Sequence, residues 1–209
     1  MPTKVYFLDD QKTESIGITW GFNWKNVSIT YAGKVIGTIA HKAELKKGQL
    51  FNLTDYKDLS VKLKGEWNPE LELLVNGKEI PGSPTDPNVQ LYQTFKAAIG
   101  LGILNVLIGL LSSMLNISFL TNLGIGFSSA IFGLIVIALS YGVKRRSRLA
   151  LGAIIALFIL DIMATFYFLD KDDFNPTSAV ILKIIIIIFL FRGFPAIKKL
   201  NERSIKQGL

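Results

Sequence analysis

The chain has no cysteine and one histidine, and these shortages exclude several kinds of site. Without cysteine there is no disulfide, no thiolate metal site and no cysteine nucleophile. His41 alone cannot supply a multi-histidine metal site or a convincing Ser/His/Asp set. A Gly-rich phosphate loop, an HExxH motif and a GxSxG motif are also missing. We therefore expect no catalytic residue, no metal and no cofactor, and we do not expect an enzyme.

Charged side chains are missing from a long stretch of the second half. No Asp, Glu, Lys, Arg or His lies between Lys96 and Lys144, which is room for two helices of ~20 residues and a turn. Two further apolar runs follow; Asp161 interrupts the first, and Lys183 and Arg192 interrupt the second. The sequence therefore predicts an α-helical membrane bundle of four transmembrane helices. Its spans are predicted at about 95–115, 123–143, 149–169 and 177–194, within a helical domain at 95–197.

Arginine is absent from residues 1–96, which carry most of the acidic side chains and are close to charge-balanced. A nucleic-acid surface needs a basic face with arginine or aromatic readout, which this half does not offer. The formal net charge of +7 arises mainly in and beside the apolar half. We therefore expect a lipid bilayer, and no nucleic acid, as a partner.

Apolar residues alternate with small or polar ones in several segments of the first half, as in strands with one buried face. The alternating sets are Ile16, Ile18, Trp20, Phe22; Val27, Ile29, Tyr31; Leu59, Val61, Leu63; and Leu71, Leu73, Val75. Turns are predicted at Ala32-Gly33-Lys34, Thr54-Asp55-Tyr56, Trp67-Asn68-Pro69 and Asn76-Gly77. Residues 1–82 are therefore expected to form a small antiparallel all-β sandwich or barrel of six or seven strands, with a short helical turn at 43–48. Trp20, Phe22 and Trp24 are expected in its core.

Two short segments of this half resemble each other, AGKVIG from Ala32 and NGKEIPG from Asn76. The match suggests a duplicated hairpin, although chance similarity is the simpler reading of so short a run. Beyond it, residues 83–94 form a linker and helix start. There Asp86 can cap, and Pro87 can begin, a helix that continues into the first span.

Lysine and arginine flank the spans unevenly, and this asymmetry predicts the orientation. The connection after the second span is Lys-Arg-Arg-Ser-Arg, and the tail at 198–209 is also basic. In the other two connections the one basic residue is Lys171. We predict a multi-pass protein of the cell (inner) membrane with both termini in the cytoplasm. The predicted membrane-interface basic residues are Lys144, Arg145, Arg146, Arg148, Arg192, Lys198 and Lys199.

Asp161 and Lys183 are predicted to be an intramembrane charged pair. Asp161 lies ~12 Å and Lys183 ~9 Å below the outer ends of their spans, at 1.5 Å per residue. A charge at such depth is costly and calls for a partner. Three readings remain open: a structural ion pair, a neutral Asp161 with Lys183 extended to the surface, or a proton- or cation-handling Asp161 in an oligomeric pore or transporter.

Small residues recur in the predicted spans and permit close helix contact, within one chain or between chains. The first span contains Gly102 and Gly109, the second Gly126, Ser129, Ala130 and Gly133, and the third Gly152 and Ala156.

The run VNGKEIPGSPTDP, from Val75 to Pro87, precedes membrane spans and a KRRS loop. In this run and layout the chain resembles a group of uncharacterised bacterial multi-pass membrane proteins with a small N-terminal β domain. The resemblance implies the two-part layout and no activity, and no functional residue follows from it.

Two functions are consistent with these features. The first is an integral membrane adaptor or sensor whose cytoplasmic β domain binds an unknown cytoplasmic protein, which the well-formed soluble half favours. The second is a small channel, transporter or membrane-perturbing effector built as a homo-oligomer and gated by the β domain, which Asp161 favours.

Overall fold

The chain folds into two compact units, Met1–Val89 and Gln90–Leu209. The computed structural model describes residues 1–9, 11–65, 69–115, 126–168 and 177–207. Antiparallel strands build the first unit and long apolar helices build the second. The predicted fold class, a small β domain followed by a four-helix membrane bundle, is confirmed.

The first unit contains two four-stranded sheets, and in each the strands are adjacent in chain order. The first sheet consists of β1 (Thr3–Phe7), β2 (Ser15–Thr19), β3 (Val27–Tyr31) and β4 (Lys34–Ile39). The second consists of β5 (Gln49–Thr54), β6 (Lys57–Lys64), β7 (Glu70–Val75) and β8 (Lys78–Glu79). The predicted helical turn is present between the sheets as α1 (Lys42–Lys47). The described strands number eight rather than six or seven, because β1 buries only Tyr6 and β8 has two residues, so neither shows a clear alternation.

The two sheets and α1 share one apolar core. Alternate residues of four strands are completely buried in it: Ile16, Ile18, Val27, Ile29, Leu59, Val61 and Leu73. Leu45 of α1 is also completely buried, and Ile80, which follows β8, is 1% exposed. Each such side chain contributes about 1.5–3 kcal/mol when it is fully removed from water. The β unit therefore has a hydrophobic core of its own.

The two segments that resemble each other form the same turn at the same place in the two sheets. Ala32-Gly33 joins β3 to β4 with φ of 47° and 79°, and Asn76-Gly77 joins β7 to β8 with φ of 49° and 76°. Two consecutive left-handed residues make the type I′ turn that fits the twist of a hairpin. Each is the turn between the third and fourth strands of its sheet, which favours the duplication hypothesis.

The alternation from Ile16 to Phe22 does not continue as a strand, and this part of the prediction was wrong. β2 ends at Thr19, and Phe22–Trp24 is a 3-10 turn in which Asn23 has a φ of 54°. Trp20 stacks on Trp24 at 5.1 Å between ring centroids and packs against the core. Phe22 is 95% exposed, so it is not a core residue.

Helix α2 (Pro87–Leu115) begins as the linker sequence predicted. The Asp86 carboxylate accepts a hydrogen bond from the Asn88 backbone N–H at 3.0 Å, which caps the helix. Pro87 occupies the first helical position, where its missing N–H costs nothing. The second carboxylate oxygen of Asp86 accepts from the Gly82 N–H at 2.9 Å and fixes the preceding turn.

Four helical segments of the described chain are long and apolar enough to cross a membrane: Pro87–Leu115, Phe127–Lys144, Arg148–Phe166 and Val180–Ile205. The chain is therefore a multi-pass membrane protein. Its remaining helices are α3 (Phe127–Lys144), α4 (Arg148–Phe168), α5 (Thr177–Phe191) and α6 (Gly193–Gln207). Three predicted features, the Trp67-Asn68 turn and the connections at 116–122 and 170–176, lie outside the described residues.

Glycines bring α2 and α3 together, as the small residues of the first two spans suggested. A Cβ on Gly109 would lie 2.6 Å from the Ala130 amide nitrogen and 2.7 Å from the Gly126 carbonyl oxygen. Such distances leave no room for a side chain, so the backbones pack directly on each other. Gly152 in α4 differs, because a Cβ there would meet only the Phe194 ring, at an ordinary 3.9 Å.

The fourth span ends differently from the prediction. Helix α5 stops at Phe191, the Arg192 N–H bonds back three residues to Phe189 at 3.2 Å, and α6 begins at Gly193. Pro195 therefore does not end a helix but lies in the first turn of the next one, where it is tolerated. The tail predicted only as basic is the amphipathic α6, which buries Ala196, Ile197 and Leu200.

Candidate functional site

The predicted intramembrane pair is formed. Lys183 Nζ on α5 lies 2.8 Å from Asp161 Oδ2 on α4 and also donates to Thr165 Oγ1 at 2.9 Å. The Thr165 hydroxyl in turn donates to the Asp161 carbonyl oxygen at 2.7 Å. Lys183 thus contacts two consecutive turns of α4, and this geometry favours the first of the three readings, a structural ion pair.

Thr165 was not among the predicted site residues, although the sequence contains a signal for it. It lies four positions after Asp161, and residues at that spacing share a helix face. A hydroxyl can accept one bond and donate another, so it satisfies Lys183 without adding charge. The side chains of Lys183 and Asp161 are 22% and 38% exposed, so the pair lies at the surface of the helix bundle rather than sealed inside it.

Other polar side chains of the membrane helices bond to their own helix. Asn105, Ser113 and Ser140 each donate to the carbonyl oxygen four residues earlier, at 2.7–2.9 Å. In hydrocarbon an unsatisfied polar group is costly, and this local bond satisfies it without a partner from another helix. These positions are therefore compatible with helices that serve as an anchor.

The predicted basic connection is a tight turn between α3 and α4. Arg146 has a φ of 63°, its N–H donates to the Val143 carbonyl at 2.9 Å, and the Ser147 N–H donates to the Gly142 carbonyl at 3.0 Å. These two bonds form a Schellman motif, the common ending of a helix, with arginine where glycine is usual. The Ser147 hydroxyl then accepts a hydrogen bond from the Ala150 N–H at 3.2 Å and caps α4.

This turn presents the predicted interface residues Lys144, Arg145, Arg146 and Arg148 as exposed side chains at one end of the helical unit. Arg146 Nη1 donates to Ser204 Oγ of α6 at 2.8 Å, which brings the basic tail helix to the same turn.

The remaining predicted basic residues lie close to this end. Lys198 and Lys199 are exposed on α6, and Lys198 Nζ is 4.0 Å from the Glu202 carboxylate. Arg192 lies at the break between α5 and α6, with its guanidinium 5.7 Å from the Phe189 ring centroid.

Aromatic rings accompany these cations. Lys144 Nζ lies 5.6 Å from the Phe95 ring centroid, and Phe95 packs against Tyr141 at 6.1 Å. Lys96 Nζ lies 4.6 Å from the Tyr92 ring centroid. Rings beside cations are typical of the level where a bilayer meets water.

The β unit contains a second candidate site, which the sequence did not predict. A groove of about 550 Å³ runs beside β1. Its lining residues come from β1, the following loop and the segment after β8: Lys4, Val5, Tyr6, Phe7, Leu8, Asp9, Lys12, Pro81 and Gly82. Within the described residues no group of three or more His, Asp or Glu side chains is placed to hold a metal ion.

Comparison with protein-family models, with curated proteins and with solved structures finds no match for the chain. The candidate sites therefore rest on their own geometry.

Proposed function

We propose that the protein is an integral membrane adaptor or sensor whose β unit binds another protein while the helices hold it in the bilayer. The observation that carries this proposal is that the β unit completes a core of its own and still exposes large apolar side chains. Phe22, Tyr56 and Leu50 are 95%, 88% and 74% exposed. Exposed aromatic side chains are enriched at sites where proteins bind one another.

The membrane helices support the anchoring part of the proposal. Asp161 is paired with Lys183, and several other polar side chains bond within their own helix. An anchor needs its polar groups satisfied, whereas a transport pathway needs polar groups that face a lumen.

For the location we propose the inner membrane of a bacterial cell, with both termini in the cytoplasm. Support comes from the basic turn between α3 and α4 and from the bond between Arg146 and Ser204, which brings the basic α6 to the same end. Cytoplasmic ends of membrane helices carry an excess of lysine and arginine.

The orientation is tested by labelling single cysteines in intact cells, and the natural chain needs no cysteine removed first. A Ser147→Cys variant should resist a membrane-impermeant maleimide, and an Asp172→Cys variant should react with it. Labelling of position 147 from outside would reverse the orientation.

The function is tested by photocrosslinking in the full-length protein in its membrane. A photoreactive phenylalanine at position 22 or 56 should give discrete adducts with another protein. Lys34, which is exposed but polar, is the control position. Adducts at none of the exposed apolar positions would remove the adaptor proposal.

An oligomeric channel or transporter is the second candidate, favoured by the partly exposed charged pair at the bundle surface. Its test is ion flux through liposomes containing the full-length protein or its Asp161→Asn variant. Flux that the wild type supports and the variant loses would favour this candidate, whereas the adaptor proposal expects no flux from either protein.

A further inference from the structure

Strand β1 is an open edge of the first sheet. It pairs with β2 on one side, and none of the described strands pairs with its other side. The unpaired N–H and C=O groups of an edge strand can pair with another extended chain.

The hydrogen bonds around β1 show which groups face the open side. The Leu8 N–H donates to the Glu14 carbonyl at 2.9 Å, and the Pro2 carbonyl accepts from the Trp20 N–H at 3.2 Å. Both bonds point towards β2, and successive residues of an extended strand direct their backbone groups to opposite sides. Thr3, Val5 and Phe7 therefore direct their N–H and C=O groups away from β2.

The groove described above lies along this edge, and the segment containing Pro81 and Gly82 contributes to its lining. Val5 and Phe7 are 54% and 39% exposed. The open side of β1 thus combines backbone groups that face away from β2 with apolar side chains and with space for another chain.

The charged groups that line the groove favour an acidic occupant. Lys4 is exposed, and Lys12 Nζ lies 5.6 Å from the Phe7 ring centroid. Among the described lining residues the one carboxylate is Asp9. Its oxygens accept hydrogen bonds from the Thr13 hydroxyl and from the Thr13 and Glu14 N–H groups, so they are already engaged in their own loop.

We propose that β1 binds an extended segment of a partner protein as an added strand, and that this segment alternates apolar residues with carboxylates. Pairing along the five residues of β1 would cover ~17 Å of extended chain at about 3.4 Å per residue. Backbone hydrogen bonds supply the affinity of such strand addition, and alternate side chains supply the specificity. The inference rests on the proposed function, because it names the kind of partner that the β unit takes.

The test uses fluorescent nine-residue peptides and the full-length protein in lipid nanodiscs. Three peptides alternate valine with glutamate, glutamine or lysine, and a fourth is the glutamate peptide N-methylated on alternate residues. The glutamate peptide should bind at least tenfold more tightly than the lysine peptide. N-methylation should cost at least tenfold, because it removes the donors of one peptide edge.

Three variants test where the peptide binds and which charge the site prefers. Val5→Pro removes one outward N–H and should weaken binding at least tenfold, since proline is tolerated on the open side of an edge strand. Val35→Pro is the matched control, an exposed valine on the opposite edge strand of the same sheet, and should leave binding unchanged.

Lys4→Glu combined with Lys12→Glu should reverse the preference between the glutamate and lysine peptides. If tryptophan fluorescence shows that Val5→Pro does not fold, this charge reversal decides the test.

Equal binding of all four peptides would overturn the inference, and so would equal effects of Val5→Pro and Val35→Pro. The inference would also be overturned if the wild-type protein formed a dimer that Val5→Pro dissociates and neither the wild type nor the variant bound a peptide. That result would assign the edge of β1 to a second copy of the chain. The adaptor proposal is tested separately by photocrosslinking, and it fails if no adduct forms from positions 22 and 56.

Discussion

A Cβ on Gly133 would lie 2.5 Å from the Gly102 carbonyl oxygen, and one on Gly102 would lie 2.9 Å from the Gly133 carbonyl oxygen. The two helices α2 and α3 therefore meet backbone to backbone at this pair. Lipid tails are as apolar as leucine side chains, so helix association in a membrane depends on such close packing rather than on the hydrophobic effect.

Gly133→Ala should destabilise the helical unit by about 1–3 kcal/mol, the usual cost of adding atoms to a full interface. The space that the added methyl group needs is occupied by two backbone atoms, the Gly102 carbonyl oxygen and the Val106 amide nitrogen, and by a methyl group of Val106. The measurement is SDS-induced unfolding followed by far-UV circular dichroism. Gly100→Ala is the matched control, because a Cβ there meets nothing within 4 Å. Equal losses in both variants would contradict direct backbone packing at Gly133.

Breaking the charged pair should destabilise the helical unit more than removing both of its charges. Lys183→Met leaves Asp161 without its cation, and Asp161→Asn leaves Lys183 without its anion. The double variant leaves neither charge. A double-mutant cycle by SDS unfolding should give a favourable coupling of about 0.5–2 kcal/mol, the range for polar contacts in membranes. A coupling of zero would mean that the 2.8 Å contact does not hold α4 to α5.

The two similar hairpin turns should respond in opposite directions to a swap of their first residues. Ala32→Asn should stabilise the β unit by about 0.5–1 kcal/mol, since asparagine tolerates a left-handed backbone better than alanine. Asn76→Ala should destabilise it by about 1–3 kcal/mol. It removes bonds in which the Asn76 amide accepts from the Asp58 N–H at 2.8 Å and donates to the Tyr56 carbonyl at 3.0 Å. Urea unfolding followed by fluorescence reports on this unit, because all three tryptophans precede residue 83. A loss of stability in Ala32→Asn would contradict the shared turn geometry.

Much of the fold was predictable because its patterns are local. Twenty uncharged residues must form a helix in a bilayer, and alternation such as Leu59, Val61, Leu63 requires one buried face. The Asp86 cap is equally local, since the carboxylate bonds two residues along the chain.

The parts that were missed depend on contacts that no local pattern encodes. Phe22 continues the alternation in the sequence, yet the chain turns at Gly21, whose N–H donates to the Lys25 carbonyl at 2.7 Å. The tail belongs to a helix that buries Ala196, Ile197 and Leu200, and its basic composition alone does not indicate this packing. The open edge of β1 depends on the order of strands in a sheet, which alternation does not give. In contrast, the pairing of Asp161 with Lys183 was predicted, because consecutive antiparallel spans bring residues of similar depth close together.

The loop after β1 should make the stability of the β unit dependent on acid. The pKa of Asp9 lies below its ordinary value of 3.8. The largest cause is the hydrogen bond from the Thr13 hydroxyl, and the second largest is the bond from the Glu14 N–H. A lowered pKa in the folded state means that the unfolded chain takes up the proton first as the pH falls. The stabilising contribution of Asp9 is therefore complete well above pH 3.8 and is lost as the pH falls through the pKa of the folded state.

Thr13→Val removes the largest cause of this shift and should raise the pKa of Asp9 towards 3.8, which an NMR titration of the carboxyl group measures directly. Thr3→Val is the matched control, because the Thr3 hydroxyl bonds to Thr19 at 3.0 Å and not to Asp9. Asp9→Asn should remove the corresponding part of the loss of stability as the pH falls from the ordinary pKa of 3.8 through the lower pKa of Asp9 in the folded state. An Asp9 pKa that stays the same in Thr13→Val would show that the Thr13 and Glu14 N–H groups, rather than the Thr13 hydroxyl, lower the pKa of Asp9.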